Sequence, residues 1–230
     1  VGTESGELAP AEDGSYTITV NHNGIVKLDF TGNTGYALDS VTVDDKAGEL
    51  SDGSYTFTKV SADHSIKVVY AEDKIGTDPE NPDEGDGVPD KYQATVTYTA
   101  TNGTVSFGKA VVTLFDGEGN PAENGTGYLT AKQIPTATAA EGYAQSSEYW
   151  TGTIGTTVER EKPTEKTAIT ADADYFVFFD PAAYTITVEV VNGTVGTESG
   201  ELTPAEGGSC TISVNHNGIV KLDFTGNTGY

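Results

Sequence analysis

The chain has 230 residues, with 12 basic against 35 acidic side chains, a formal net charge of −23 and a pI near 4.1. So anionic a surface repels a phosphate backbone, no apolar run approaches the roughly 20 residues of a membrane-spanning helix, and one cysteine cannot form an internal disulfide. Nucleic-acid binding, a helical membrane span and a disulfide scaffold are thereby excluded, while 36% apolar residues argue against wholesale disorder.

In chain order, apolar residues alternate over 15–20, 25–30, 37–43, 54–60 and 64–70, then over 93–100, 109–115, 174–179 and 184–191. Period two puts Val, Ile, Tyr and Phe on one face and Thr, Ser, Lys and Glu on the other, the pattern of half-buried antiparallel strands. The 34 threonines fall mostly on the wet face, where a β-branched side chain suits the pleat. Asn-Gly pairs punctuate the runs: NHNG at 21–24, and Asn-Gly-Thr beginning at Asn102, Asn124 and Asn192, all read as turns rather than glycosylation sites. Only 128–134, YLTAKQI, predicts a short helix, with Leu129 and Ile134 as its buried residues. The class is all-β, with one small helix at most.

Residues 1–36 recur as 195–230, shifted by 194 positions, with four differences: Ala9/Thr203, Asp13/Gly207, Tyr16/Cys210 and Thr19/Ser213. Such identity implies a recently duplicated unit about as long as the shift, in the manner of repeat proteins. A fainter repeat lies inside it. TVTYTATNGTV at 95–105 matches TITVEVVNGTV at 185–195, GYA at 35–37 matches GYA at 142–144, and VSADHSIKVVY at 60–70 matches ITADADYFVFF at 169–179. The expected domains are a first module at 1–71, an acidic linker at 72–90, a second module at 91–181, and the opening strands of a further first module at 182–230.

By this alignment the first module lacks its leading strand. An open edge recruits a strand, so 1–71 is expected to be completed by the 184–194 strand of a neighbouring molecule or by a strand preceding residue 1. The residues of the donated strand are Tyr184, Ile186, Val188 and Val190. Alternatively the ends are arbitrary. The stretch 184–230 holds only opening strands and is expected to be poorly ordered alone. The absence of Met at position 1 and of a signal peptide suggests a piece of a longer protein.

The linker carries eight carboxylates and one lysine, and its Pro and Gly content predicts an extended spacer. Its GDGVPD (85–90) resembles the calcium loops of thrombospondin type-3 repeats. That resemblance implies calcium held by Glu84, Asp86, Val88 and Asp90, since calcium takes six to eight oxygens from alternate carboxylates and a backbone carbonyl. Pro82 and Gln93 stand where ligands would be usual, and a solvated acidic linker is the competing reading.

His22, His216 and His64 have no second ligand at zinc spacing, and no nucleophile elbow, P-loop or Cys–His pair is present. Trp150, beside Tyr149, reads either as an aromatic platform for a glycan or host protein or as a core residue. Lys27, Lys67 and Lys109 are candidates for an isopeptide bond, but alternation places each toward solvent.

The combination GYALDSVTVDD with YTFTKVSADHSIKVVY resembles the divergent InlB B-repeat, or bacterial surface repeat, family. It is carried by Tyr55, Thr56, Phe57, Val60, Ala62, Asp63, His64, Ile66, Val68 and Tyr70. The second module, with its Leu129–Pro135 stretch, resembles a more distant relative. The resemblance implies small β-grasp-like modules in tandem, forming stalks of adhesins on bacterial cell surfaces, without catalytic residues. The function expected is therefore a non-enzymatic, extracellular stalk whose partners are neighbouring repeats. The alternatives are a strand-exchanging filament subunit, whose partners are copies of itself, and a module that binds a host glycan or protein.

Overall fold

The computed structural model describes residues 2–3, 8–10, 15–198, 200–204 and 209–228. The fold is all-β. Among the described residues the helical elements are three single 3-10 turns, Asp90–Tyr92, Ala131–Gln133 and Gln145–Ser147. Contacts divide the chain into two units.

The first unit comprises Val1–Val96, Lys109–Gln133 and Glu165–Asp172. One of its sheets has Gly24–Asp29 between Gly2–Thr3 and Ser54–Val60. A second has Tyr36–Val43 between Lys46–Ala47 and Ile66–Glu72. Alternation is legible in Gly24–Asp29, where Val26 and Leu28 are buried and Ile25 is exposed. Ala94 and Val96 at the start of Gln93–Thr101, Ala110 and Val111 on Lys109–Thr113, and Leu129 are buried.

The second unit comprises Thr97–Gly108, Ile134–Thr164 and Ala173–Tyr230. The remainder of Gln93–Thr101 lies beside Ala173–Phe178, followed by Tyr149–Ile154 and Thr157–Glu159. Ala173, Tyr175 and Val177 are buried, and Asp174 between them is exposed, as period two requires. Gly152 stands opposite Tyr175, and a Cβ there would come within 2.5 Å of its ring; the glycine makes room for the aromatic.

The two copies of the duplicated segment fold in one register. Gly2↔Asp29 and Thr3↔Leu28 recur as Gly196↔Asp223 and Thr197↔Leu222, and Ala9↔Thr17 and Pro10↔Tyr16 recur as Thr203↔Thr211 and Pro204↔Cys210. The NHNG turns also match, with Asn23 at φ 61° and Asn217 at φ 58° in the left-handed region. Asn102, Asn124 and Asn192 share that conformation, so all three Asn-Gly-Thr sequences are turns.

Three local expectations need correction. The strand expected over 15–20 is confined to Tyr16–Thr17, whereas its copy runs the full Cys210–Asn215. The copy is paired on both edges, while Tyr16–Thr17 pairs only with Ala9–Pro10 among the described residues. Secondly, 128–134 is not a helix but the 3-10 turn Ala131–Gln133. Gln133 Oε1 accepts from Thr130 N and Oγ1 (3.0 and 3.1 Å), which closes a tight turn, and Pro135 bars a further one. Leu129 is buried as expected, while Ile134 is only half-buried. Thirdly, the opening strands of the C-terminal segment pair with one another in two small sheets, Ala183–Val188 with Cys210–Asn215 and Thr203–Pro204, and Gly193–Thr197 with Leu222–Gly226.

Candidate functional site: the acidic connector and the groove of the first repeat

The connector is not extended. Its carboxylates fold it by accepting hydrogen bonds from the backbone. Asp86 accepts from Thr77 N and Oγ1 (both 3.0 Å), from Val88 N (3.1 Å) and from Gln93 Nε2 (3.1 Å). Asp73 accepts from Asp86 N (2.9 Å) and Gly87 N (3.1 Å), and Asp90 accepts from Lys74 N (2.8 Å) and Ile75 N (3.2 Å). The chain crosses itself so closely that a Cβ on Gly76 would lie 2.2 Å from Glu84 O. Short acidic side chains in a Pro/Gly-rich segment favour such side-chain-to-backbone turns over an extended path.

Of the four residues read as calcium ligands, Asp86 and Asp90 therefore face N–H donors. Glu84 is exposed, with its own N–H directed at Asn81 O, and Val88 is half-buried. Among the described residues no group of three or more His, Cys, Asp or Glu side chains stands close enough to hold a metal ion.

The connector is tied into the first unit at three points. Gln133, 3% exposed, donates from Nε2 to Thr77 O (2.9 Å) and to Val111 O (2.6 Å). Lys109 pairs with Asp83. Asp39 is the extra residue of a β-bulge, since Leu38 pairs with Tyr70 and Ser40 with Val69. Its carboxylate accepts from Tyr92 Oη (2.6 Å) and Lys91 Nζ (2.8 Å). Burial raises the Asp39 pKa, but those bonds outweigh it and hold the carboxyl below its ordinary value. Residues 39 and 91–92 are thus locked together across the connector.

Trp150 is 5% exposed, so it is a core residue and not a platform. Its Nε1 donates to Glu148 Oε1 (2.7 Å), Lys162 Nζ lies 5.2 Å from the ring, and Tyr98 packs edge-on at 6.4 Å. The large apolar side chain opposite Val177 on the sheet's inner face explains the burial. Of the isopeptide candidates, Lys27 pairs with Asp29, Lys109 with Asp83, and Lys67 is exposed; none is buried.

Among the residues read as a donated strand, Tyr184, Ile186 and Val188 lie on Ala183–Val188, opposite Val214, Ile212 and Cys210. Val190 lies beyond the strand end. Tyr184 is half exposed and Val188 buried.

The first unit also holds a groove of about 820 Å³. Its wall is made by residues 15–20 and 60–66 together with His22, Val26, Leu28 and Phe57. His64 stacks on Phe57 at 5.2 Å and its Nδ1 meets Asp44 Oδ2 at 2.7 Å, so it braces this wall. A hydrogen bond from Ser65 N, then one from His64, lowers the Asp44 pKa. Sequence reasoning gave no sign of this cavity, because the segments that line it, 15–20 and 60–66, lie forty or more positions apart.

No helix among the described residues is long and apolar enough to cross a membrane. Comparison with family models, with curated proteins and with solved structures finds no match.

Proposed function

We propose that this chain is a non-catalytic repeat segment of a bacterial cell-surface or extracellular protein, acting as the stalk or spacer of an adhesin. The observation that carries this reading is the common register of the two copies of the duplicated segment: strand pairs and turns recur at the 194-residue shift, as a repeated bead requires. A solenoid or beaded array gains length by repeating such a unit, with each bead contacting its neighbours. The folded connector supports the same reading. Gln133, Lys109 and the Asp39–Tyr92 bond tie it into the first unit, so it is part of a folded bead and not a loose tether. The surface location rests on the resemblance of Tyr55–Tyr70 to bacterial surface repeats.

The reading is tested by small-angle scattering on proteins carrying one, two and three 194-residue periods. A spacer gives a maximum dimension that grows in proportion to the number of periods. A dimension that grows only as the cube root of mass, the mark of collapse into one globule, overturns it.

A further inference from the structure

A second cavity of the first unit, of about 420 Å³, is lined by the connector at Thr77 and by the segments around Phe115 and Tyr128. Phe115 and Thr126 exchange both backbone hydrogen bonds, Phe115 N to Thr126 O (3.2 Å) and Thr126 N to Phe115 O (2.9 Å), so the chain doubles back there. Tyr128 follows Thr126 by two positions, and period two puts its ring on the face that Phe115 occupies. Aromatic side chains at such diagonal positions reach a common neighbour. Phe115 is 42% and Tyr128 56% exposed, and both line the cavity. The loop between them is braced, since Asp116 Oδ1 accepts from Glu118 N (2.8 Å) and Asn120 N (2.9 Å). Val112 and Gln133 form the buried part of the lining.

We infer that this cavity binds a sugar ring of a neutral carbohydrate. Three features of the lining select that chemistry. First, the two half-exposed rings offer flat apolar faces with a negative quadrupole, which suit the C–H face of a sugar. Secondly, the hydroxyl hydrogens of Thr77 and Thr130 are already committed. Thr77 Oγ1 donates to Asp86 Oδ2 (3.0 Å) and Thr130 Oγ1 donates to Gln133 Oε1 (3.1 Å). A hydroxyl has one hydrogen and two lone pairs, so toward a ligand both oxygens can only accept. The ligand must therefore bring O–H or N–H donors, and a purely apolar occupant would leave these oxygens without a partner. Thirdly, none of the residues that line the cavity is charged, in a chain that is 20% charged. An ammonium or a phosphate leaving water needs an opposite charge, and an acidic chain built to take an ammonium would present one of its carboxylates here.

A sugar meets all three demands at once, with C–H groups on its faces, O–H donors around its rim and no charge. The acceptors are also set in advance. Thr77 is fixed by Asp86 and Thr130 by the nearly inaccessible Gln133, so little ordering is left for the moment of binding. The inference goes beyond the spacer reading and does not depend on it, because an array of beads scales in length whether or not each bead holds a sugar.

The test is a nuclear magnetic resonance titration of the whole isotope-labelled chain with maltose, cellobiose, lactose and N,N′-diacetylchitobiose, neutral disaccharides of different linkage and substituents. At least one is expected to shift the amides of 113–115 and 126–130 saturably. Cyclohexanol, which keeps a ring but lacks the hydroxyl rim, and choline, which brings a cation, are expected to leave those amides unmoved at the same concentration. Phe115→Ala and Tyr128→Ala, both at exposed positions, are each expected to weaken binding about fivefold through loss of one aromatic face, and Tyr128→Trp to retain it. No saturable shift with any of the four sugars, a response to cyclohexanol or choline as strong as that to the sugars, or an unchanged sugar affinity in both alanine variants overturns the inference. The wild-type titrations need no substitution, so a misfolded variant does not shield the proposal.

Discussion

Replacing Gln133 by leucine is the sharpest test of how the connector is held. The side chain is nearly inaccessible, and its hydrogen bonds include four: two accepted from Thr130 and two donated to Thr77 O and Val111 O. Leucine keeps the bulk and removes all four. A neutral hydrogen bond contributes about 0.5–1.5 kcal/mol net, and a carbonyl left buried without a partner costs about 1–3 kcal/mol. Val111 is fully buried, so its carbonyl bears the larger penalty, while Thr130 and Thr77 recover water. The sum is about 3 kcal/mol, read as a fall in the urea midpoint followed by far-ultraviolet circular dichroism at an unchanged slope. Gln133→Glu adds a sign check. A buried carboxyl facing two carbonyls has a raised pKa, so its neutral form is tolerated below about pH 4.3 and the penalty grows as pH rises. A Gln133→Leu loss below about 0.5 kcal/mol, or a Gln133→Glu penalty independent of pH, refutes the latch.

Two other substitutions probe the interior. Asp39→Ala removes a carboxylate hydrogen-bonded to Lys91 and Tyr92; with Lys91 partly in water, the expected loss is about 1–2 kcal/mol at pH 7. Because the folded pKa is lowered, that contribution is present above the unfolded value near 3.9 and disappears as pH falls through the folded one, so urea midpoints of wild type and variant should converge in acid. Tyr175→Phe deletes a buried hydroxyl that has no hydrogen-bonding partner among the described residues, so thermal unfolding should show no loss and a gain of up to about 1 kcal/mol. Burial, aided by the Glu159 charge, pushes the Tyr175 pKa up to about 12. Folding then favours the protonated phenol, and stability should drain away as pH rises from about 10 through 12 in wild type and less steeply in the variant.

The amino-acid order determined the class, most strand positions, the Asn turns and the duplication, because period-two alternation and left-handed Asn are local properties that neighbours along the chain already specify. Internal repetition also let one part of the chain serve as a template for reading another. It was silent on Asp39, whose role comes from a bulge that exists only when Tyr36–Val43 pairs with Ile66–Glu72. It misjudged the connector, where eight carboxylates suggest repulsion until backbone N–H groups fold within reach. Trp150 could be read either way from its neighbours, and only Tyr149–Ile154 packing its inner face decided for burial. The difference is physical: alternation and turns are written in contiguous residues, whereas a bulge and a groove are made by segments tens of positions apart, and the connector's carboxylates act only once the chain has doubled back over 2 to 16 positions.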